Sequence, residues 1–238
     1  DEFSTFGFVG HILKTAWCLA RAHLVTNRRG LNWVNRAGDY ILDVWNNGGY
    51  DHENSGPYTG FTWDDGWIDD SEKEYWQVEQ AITSGLMNYY VSEDQDNRAI
   101  FLEMATQSMQ FFLDHFIDQT YGEIYLSTYP DGVVKNDTKG DTYKSAYHGI
   151  ETLYYGYLYG SLFYADTPVE LYYRLTPVGE NLSVKLTPCA IEDYFLQITD
   201  VELDGVPYAD YDADTRVLNV PDGGGGIFKV TFERKRPQ

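Results

Sequence analysis

Three short segments carry side chains that can move protons or hold a sugar. In Gly10-His11-Ile12-Leu13-Lys14-Thr15-Ala16-Trp17, His11 and Lys14 are three residues apart and so share one helix face. An imidazole titrates near neutrality, which suits general acid–base work. In Lys73-Glu74-Tyr75-Trp76-Gln77-Val78-Glu79-Gln80-Ala81, Trp76 and Glu79 repeat the three-residue spacing, and Glu79 sits among apolar neighbours where a free carboxylate is costly. A buried Glu beside a Trp can hold sugar hydroxyls while the ring stacks on a pyranose. In Lys139-Gly140-Asp141-Thr142-Tyr143-Lys144-Ser145-Ala146-Tyr147-His148-Gly149-Ile150-Glu151, a second His stands at a loop-to-helix junction. Taken singly, each segment also fits a plain role: a helix start with one satisfied His, a surface Glu on an amphipathic helix, an ordinary junction.

The elements that must position these groups change character near Asp166-Thr167-Pro168. Upstream, helical spacing predicts five helices: Phe8 to about Arg28, Trp33–Trp45, Ser71 to about Tyr90, Asp96–Phe116 and Ser145–Phe163. Gly30 and Asn46-Asn47-Gly48-Gly49 are stop signals, and Ser71 with Glu74 matches a capping box. Two long connections, 48–70 and 118–144, are too long for inert loops, and Glu123–Ser127 followed by Pro130-Asp131-Gly132 predicts one arm and turn of a hairpin. Downstream the period is two. Strands are predicted at Val169–Leu175, Leu182–Leu186, Tyr194–Leu203, Arg216–Val220 and Ile227–Glu233. The expected organisation is a helical domain over 1–166 and a small β-sandwich over 167–238.

Composition narrows the partners. Among 238 residues, 37 acidic groups against 17 basic ones leave a net charge of −20. Such a chain is a poor match for phosphate backbones or anionic membrane surfaces, and Arg234-Lys235-Arg236 is its only basic cluster. No apolar run reaches the roughly 20 residues of a membrane span. Cys18 and Cys189 fall in different regions, which argues against a disulfide framework or a Cys-based metal site. Asp210–Asp214 alternates like a Ca²⁺ loop but lacks its Gly and distal Glu, so a solvated turn is expected. The sequons at Asn136 and Asn181, with the acidic, Tyr-rich surface, lean toward a secreted protein.

In order and flanking residues, the three segments resemble the second half of the N-acylglucosamine 2-epimerase family, which includes cellobiose 2-epimerases and aldose–ketose isomerases. The resemblance runs from about Phe6 to Tyr155 and includes Gly48-Gly49-Tyr50-Asp51 and Tyr121-Gly122-Glu123. It implies a mainly α fold, half of an (α/α)6 barrel, here followed by an all-β module. It further implies proton transfer at C2 of an open-chain sugar by His11 and His148, with Glu79 orienting a ring or a hydroxyl. Trp17, Trp76, Lys14, Tyr147 and Lys144 would contact the mono- or oligosaccharide. No cofactor or metal is implied. Two residues depart from the family pattern: Lys14 stands where Glu is usual, and Ile150-Glu151 where Arg is usual. A swapped Lys14–Glu151 ion pair is one expectation, and enediolate stabilisation by Lys14 is another.

Half a barrel would leave Trp17, Trp76 and Tyr147 open to water. The missing helices are therefore expected from an N-terminal part of the same gene product, a companion chain, or another copy. Two alternatives remain. A barrel hydrolase or lyase would use carboxylates such as Asp64, Asp65 or Asp69 beside Trp67. A non-catalytic carbohydrate-binding protein would need no acid–base pair.

Overall fold

The computed structural model describes residues 6–26, 31–62, 66–188, 191–192 and 194–235. The chain divides into two units, Asp1–Phe163 and Tyr164–Gln238.

Among the described residues, the first unit holds five α-helices: α1 (Val9–Val25), α2 (Leu31–Asn46), α3 (Tyr75–Val91), α4 (Gln95–His115) and α5 (Ala146–Tyr159), the last running on into a π-helical stretch, Gly160–Ala165. α3 is central and packs against α1, α2, α4 and α5. Its sequence explains that position. It carries apolar or small residues round most of its circumference, and nearly all of its residues are buried. The apolar side of α1, through Val9, Leu13 and Ala16, joins Ala37, Ile41 and Val44 of α2 in one core with Ala81 of α3 and Phe101 and Met104 of α4.

The helix starts differ from expectation at one point. Ser71 and Glu74 do not form a capping box, because Lys73–Glu74 is drawn into a strand antiparallel to Ser127–Thr128. Glu74 precedes α3 in extended conformation, without a side-chain cap. α4 and α5 are capped by Asp94 and Ser145, whose side chains accept from the N–H groups of Asn97 and Tyr147.

The long connections carry small sheets. Phe6–Phe8, Gly60–Thr62 and Ile68–Asp69 form one, and Lys73–Glu74, Ser127–Thr128 and Val134–Asn136 another. The predicted hairpin arm is thus shorter and later than its pattern suggests, with its turn closed by Tyr129 N–H to Val133 O at 2.8 Å. Lys73, 0% exposed, ties the connections together. Its ammonium donates to Asp51 Oδ2 at 2.8 Å and to the carbonyls of Ser55 and Pro130. Burial pulls the Lys73 pKa down against the Asp51 charge. Burial also pushes Asp51 upward, yet Lys73 and the Asn54 N–H hold it below its ordinary value.

The second unit contains two antiparallel sheets. One pairs Val206–Pro207, Leu196–Leu203, Gly226–Arg234 and Val169–Leu175 in that order, and the other pairs Tyr211–Asp212, Val217–Val220 and Leu182–Lys185. Alternate residues Phe228, Val230 and Phe232 are fully buried, as a one-sided sheet requires. Asp210–Asp214 falls at a hairpin, where Asp212 accepts from the Thr215 N–H and Asp214 pairs with Lys235. Cys189 and Arg236 lie outside the described residues, as do Arg28 and Gly30; Cys18 is an exposed free thiol.

Candidate active site

The first turns of α1, α3 and α5 meet at one cavity of about 250 Å³. His11 is the third residue of α1, Trp76 the second of α3 and His148 the third of α5. All three helices therefore turn their N-terminal ends, with their partial positive charge, toward the same space. That polarity favours anions, including an enediolate.

The Trp76 ring packs against both imidazoles. Its ring centroid is 5.1 Å from that of His11 and 6.0 Å from that of His148. These contacts cap the separation of the two imidazole centroids at about 11 Å, within reach of a sugar held between them. Trp76 is fixed by its indole N–H, which donates to Glu74 Oε2 at 2.5 Å.

The approach of Trp76 to α1 depends on a glycine. A Cβ on Gly10 would lie 2.5 Å from Trp76 Cζ3. Gly10 also donates its N–H to Gln77 Oε1 at 2.9 Å, joining the starts of α1 and α3. Gly149 plays the same part beside His148, where a Cβ would meet Ile124 Cδ1 at 2.4 Å. Each His is thus flanked by a glycine that lets a neighbouring element close in.

Glu79, fully buried, faces His148. Its Oε2 lies 3.2 Å from His148 Nδ1, and its Oε1 accepts from Thr83 Oγ1 at 2.7 Å. Gln80 Nε2 donates to Oε2 as well, so the carboxylate has little freedom. Burial pushes the Glu79 pKa up, opposed by hydrogen bonds from His148 and Thr83. Glu151, one turn beyond His148, brings a second carboxylate oxygen to 3.7 Å from the same Nδ1.

The other residues singled out in the sequence divide. Lys14 and Tyr143 line the cavity with the two His. Among the described residues Lys14 forms no ion pair, so the expected Lys14–Glu151 pairing is not made. Trp17 is 5% exposed and lies off the cavity, its indole N–H donating to Gln80 Oε1 and its face covered by Arg21. The expectation that it is open to water is corrected. Six residues past His11 is about 240° round the helix, which turns Trp17 toward the core side. Lys144 is 2% exposed; its ammonium is taken up by Glu123 Oε2 and the Lys139 carbonyl, both at 2.9 Å. Its place is at the base of the Asp118–Lys144 connection rather than on the cavity wall. Tyr147 is 51% exposed, and burial together with neighbouring Glu151 pushes its hydroxyl up to about 12. Asp69 accepts from the Ser71 N–H in a local turn; Asp64 and Asp65 lie outside the described residues. Glu74, Tyr75 and Leu126 also line the cavity. Glu74 lies in the two-residue strand Lys73–Glu74, with Tyr75 next to it and Leu126 next to the two-residue strand Ser127–Thr128, strands too short to leave a period in the sequence.

No family model matches the chain. A D-mannose isomerase from Marinomonas mediterranea is 24% identical over 154 residues, 64% of this chain and 37% of that protein. Among solved structures, a D-mannose isomerase superposes with a TM-score of 0.53 at 21% identity, over 63% of this chain and 36% of the other. Cellobiose 2-epimerase from Bacillus thermoamylovorans superposes with a TM-score of 0.54 at 17% identity, over 64% of this chain and 37% of the other. The helical unit fits the N-acylglucosamine 2-epimerase family. The chain spans little more than a third of the length of these relatives.

Proposed function

We propose that the helical unit carries the proton-transfer residues of a carbohydrate epimerase or aldose–ketose isomerase. The observation that carries this reading is the placement of His11 and His148 on one cavity, both against Trp76, with Glu79 at His148 Nδ1. With its Nδ1–H donated to Glu79, His148 presents the Nε2 lone pair to the cavity. That nitrogen takes the C2 proton of an open-chain aldose, and the C2–H electron pair becomes the C1–C2 double bond of an enediolate. Negative charge gathers on O1, where the helix N-termini and the Lys14 ammonium oppose it. His11, on the other side, returns a proton to C2 to give the epimer. Return to C1 instead, with the O2 proton passed to O1 and the O2–H electron pair becoming the C2=O bond, gives the ketose.

We further propose that the helical unit is half of an (α/α)6 barrel and that the second unit is a β-sandwich. The remaining helices then come from the same gene product, a companion chain or another copy. The partial coverage of the relatives supports this, as does the exposure of Ile150, Leu153 and Tyr157 along one side of α5.

The test is product formation by the whole native protein, isolated with the helices that complete its barrel, from mannose, glucose and cellobiose, followed by NMR. Appearance of the 2-epimer or the ketose, lost in His148→Asn, is the expected result. Absence of either product from every aldose tried would sink the reading.

A further inference from the structure

Glu151 is 9% exposed, and its Oε2 is buried without a hydrogen-bond partner in the geometry, although the Tyr147 hydroxyl acts on the same carboxylate. An orphaned carboxylate oxygen is costly, so what it faces is informative. It points at His148 Nδ1, 3.7 Å away, where Glu79 Oε2 also lies at 3.2 Å. One ligand atom from each of Glu79, His148 and Glu151 falls within 4.8 Å of the other two. Ligand atoms bonded to a tetrahedral zinc ion at about 2.0–2.1 Å are separated by about 3.3 Å. The two measured separations bracket that value.

We propose that Glu79, His148 and Glu151 form a site for a divalent transition-metal ion of the zinc class, and that filling it blocks proton transfer. One imidazole and two carboxylates form a ligand set that zinc takes and that leaves a position open for water. The ligands are held from behind. Thr83 and Gln80 fix the Glu79 carboxylate, as an outer shell does for metal ligands. Two carboxylates against one dication also leave the buried cluster neutral, which relieves the crowding of like charges around Glu79.

The inhibition follows from the ring itself and rests on the function proposed above. An imidazole that gives its Nδ1 lone pair to a metal releases the Nδ1 proton and, when neutral, holds its one proton on Nε2. Nε2 is the atom offered to C2, and in that form it has no lone pair with which to take a proton. The ion therefore competes with the state in which Glu79 accepts from His148.

The experiment is calorimetric titration of the whole, untagged, chelator-stripped chain with Zn²⁺, in excess Mg²⁺ and Ca²⁺ to occupy surface carboxylates. One saturable Zn²⁺ per chain is expected, with affinity reduced at least about tenfold in Glu151→Gln. Circular dichroism confirms that the variant is folded, and Glu151→Ala serves if it is not. As a second readout on the wild type, Co²⁺ should broaden the His148 ring resonances before those of the other four of its five His. Absence of saturable zinc binding overturns the site, as does wild-type affinity in the Glu151 variants or earlier broadening of another His. Sugar turnover without zinc capture removes this proposal and leaves the function standing. Zinc capture without turnover keeps the site and removes the function.

Discussion

His148 Nδ1 lies 3.2 Å from Glu79 Oε2, and the carboxylate that receives it comes from the fully buried central helix α3. This contact fixes both the ring plane and the tautomer of a half-buried imidazole at the cavity wall. Replacing the carboxylate with the neutral amide in Glu79→Gln leaves the shape and removes the charge. The expected outcome is a kcat lower by about 10²-fold or more with KM little changed, since positioning for proton transfer is worth about 10²–10⁴-fold. Steady-state kinetics on an aldose substrate checks the split. A rise in KM at constant kcat would assign Glu79 to binding instead.

Gly10 sets the distance between His11 and Trp76. Gly10→Ala places a methyl group against the Trp76 ring, where the contact would be 2.5 Å, and the ring must move. Overpacking of this kind costs about 1–3 kcal/mol of stability. Turnover should fall further than stability does, because Trp76 also touches His148. Steady-state kinetics together with thermal unfolding measures both effects. Full activity at unchanged stability would show that the contact relaxes freely.

The Lys73–Asp51 pair is buried on both sides, at 0% and 2% exposure. Asp51→Asn leaves the ammonium without its counter-charge and is expected to destabilise the helical unit by about 3–5 kcal/mol. Lys73→Met together with Asp51→Leu removes both charges and should recover much of that loss. Denaturant titration of the three variants closes the comparison. Equal losses in the single and double variants would contradict it.

Asp118 gives the unit a pH dependence at its acid end. Lys139, followed by the N–H groups of Tyr121 and Thr120, holds its carboxyl down to about 2. A depressed carboxylate contributes stability that is complete above its unfolded value of about 3.9 and is lost as pH falls through the folded value. The expected loss therefore lies between about pH 4 and pH 2. Asp118→Asn should flatten the stability profile in that window, measured by thermal unfolding against pH. A variant profile parallel to the wild type would contradict the assignment.

How much of this was legible follows from the physics of each element. Helices α1 to α5 announced themselves because apolar residues recur at helical spacing over 14 residues or more. The groups around His148 and His11 were visible as residue types, since each His sits beside a glycine at a helix start and Glu79 follows Trp76 by three residues. What stayed hidden was set by contacts distant in sequence. The strand at Lys73–Glu74 overrode a capping signal because its partner lies more than 50 residues away. Trp17 looked like a cavity residue because it shares a helix with His11, but its angular position puts it in the core. Lys144 looked like a ligand-binding cation, and its partner Glu123 lies 21 residues back in the same connection.

The central claim is that His11 and His148 exchange protons with C2 from opposite faces. Each variant, His11→Asn and His148→Asn, can be given each of two C2-epimers labelled with deuterium at C2, and loss of label followed by NMR. The expected result is that His11→Asn washes label from one epimer only and His148→Asn from the other only, with neither variant interconverting them. Washout from both epimers by either variant would contradict it, as would failure of the wild type to release label at all.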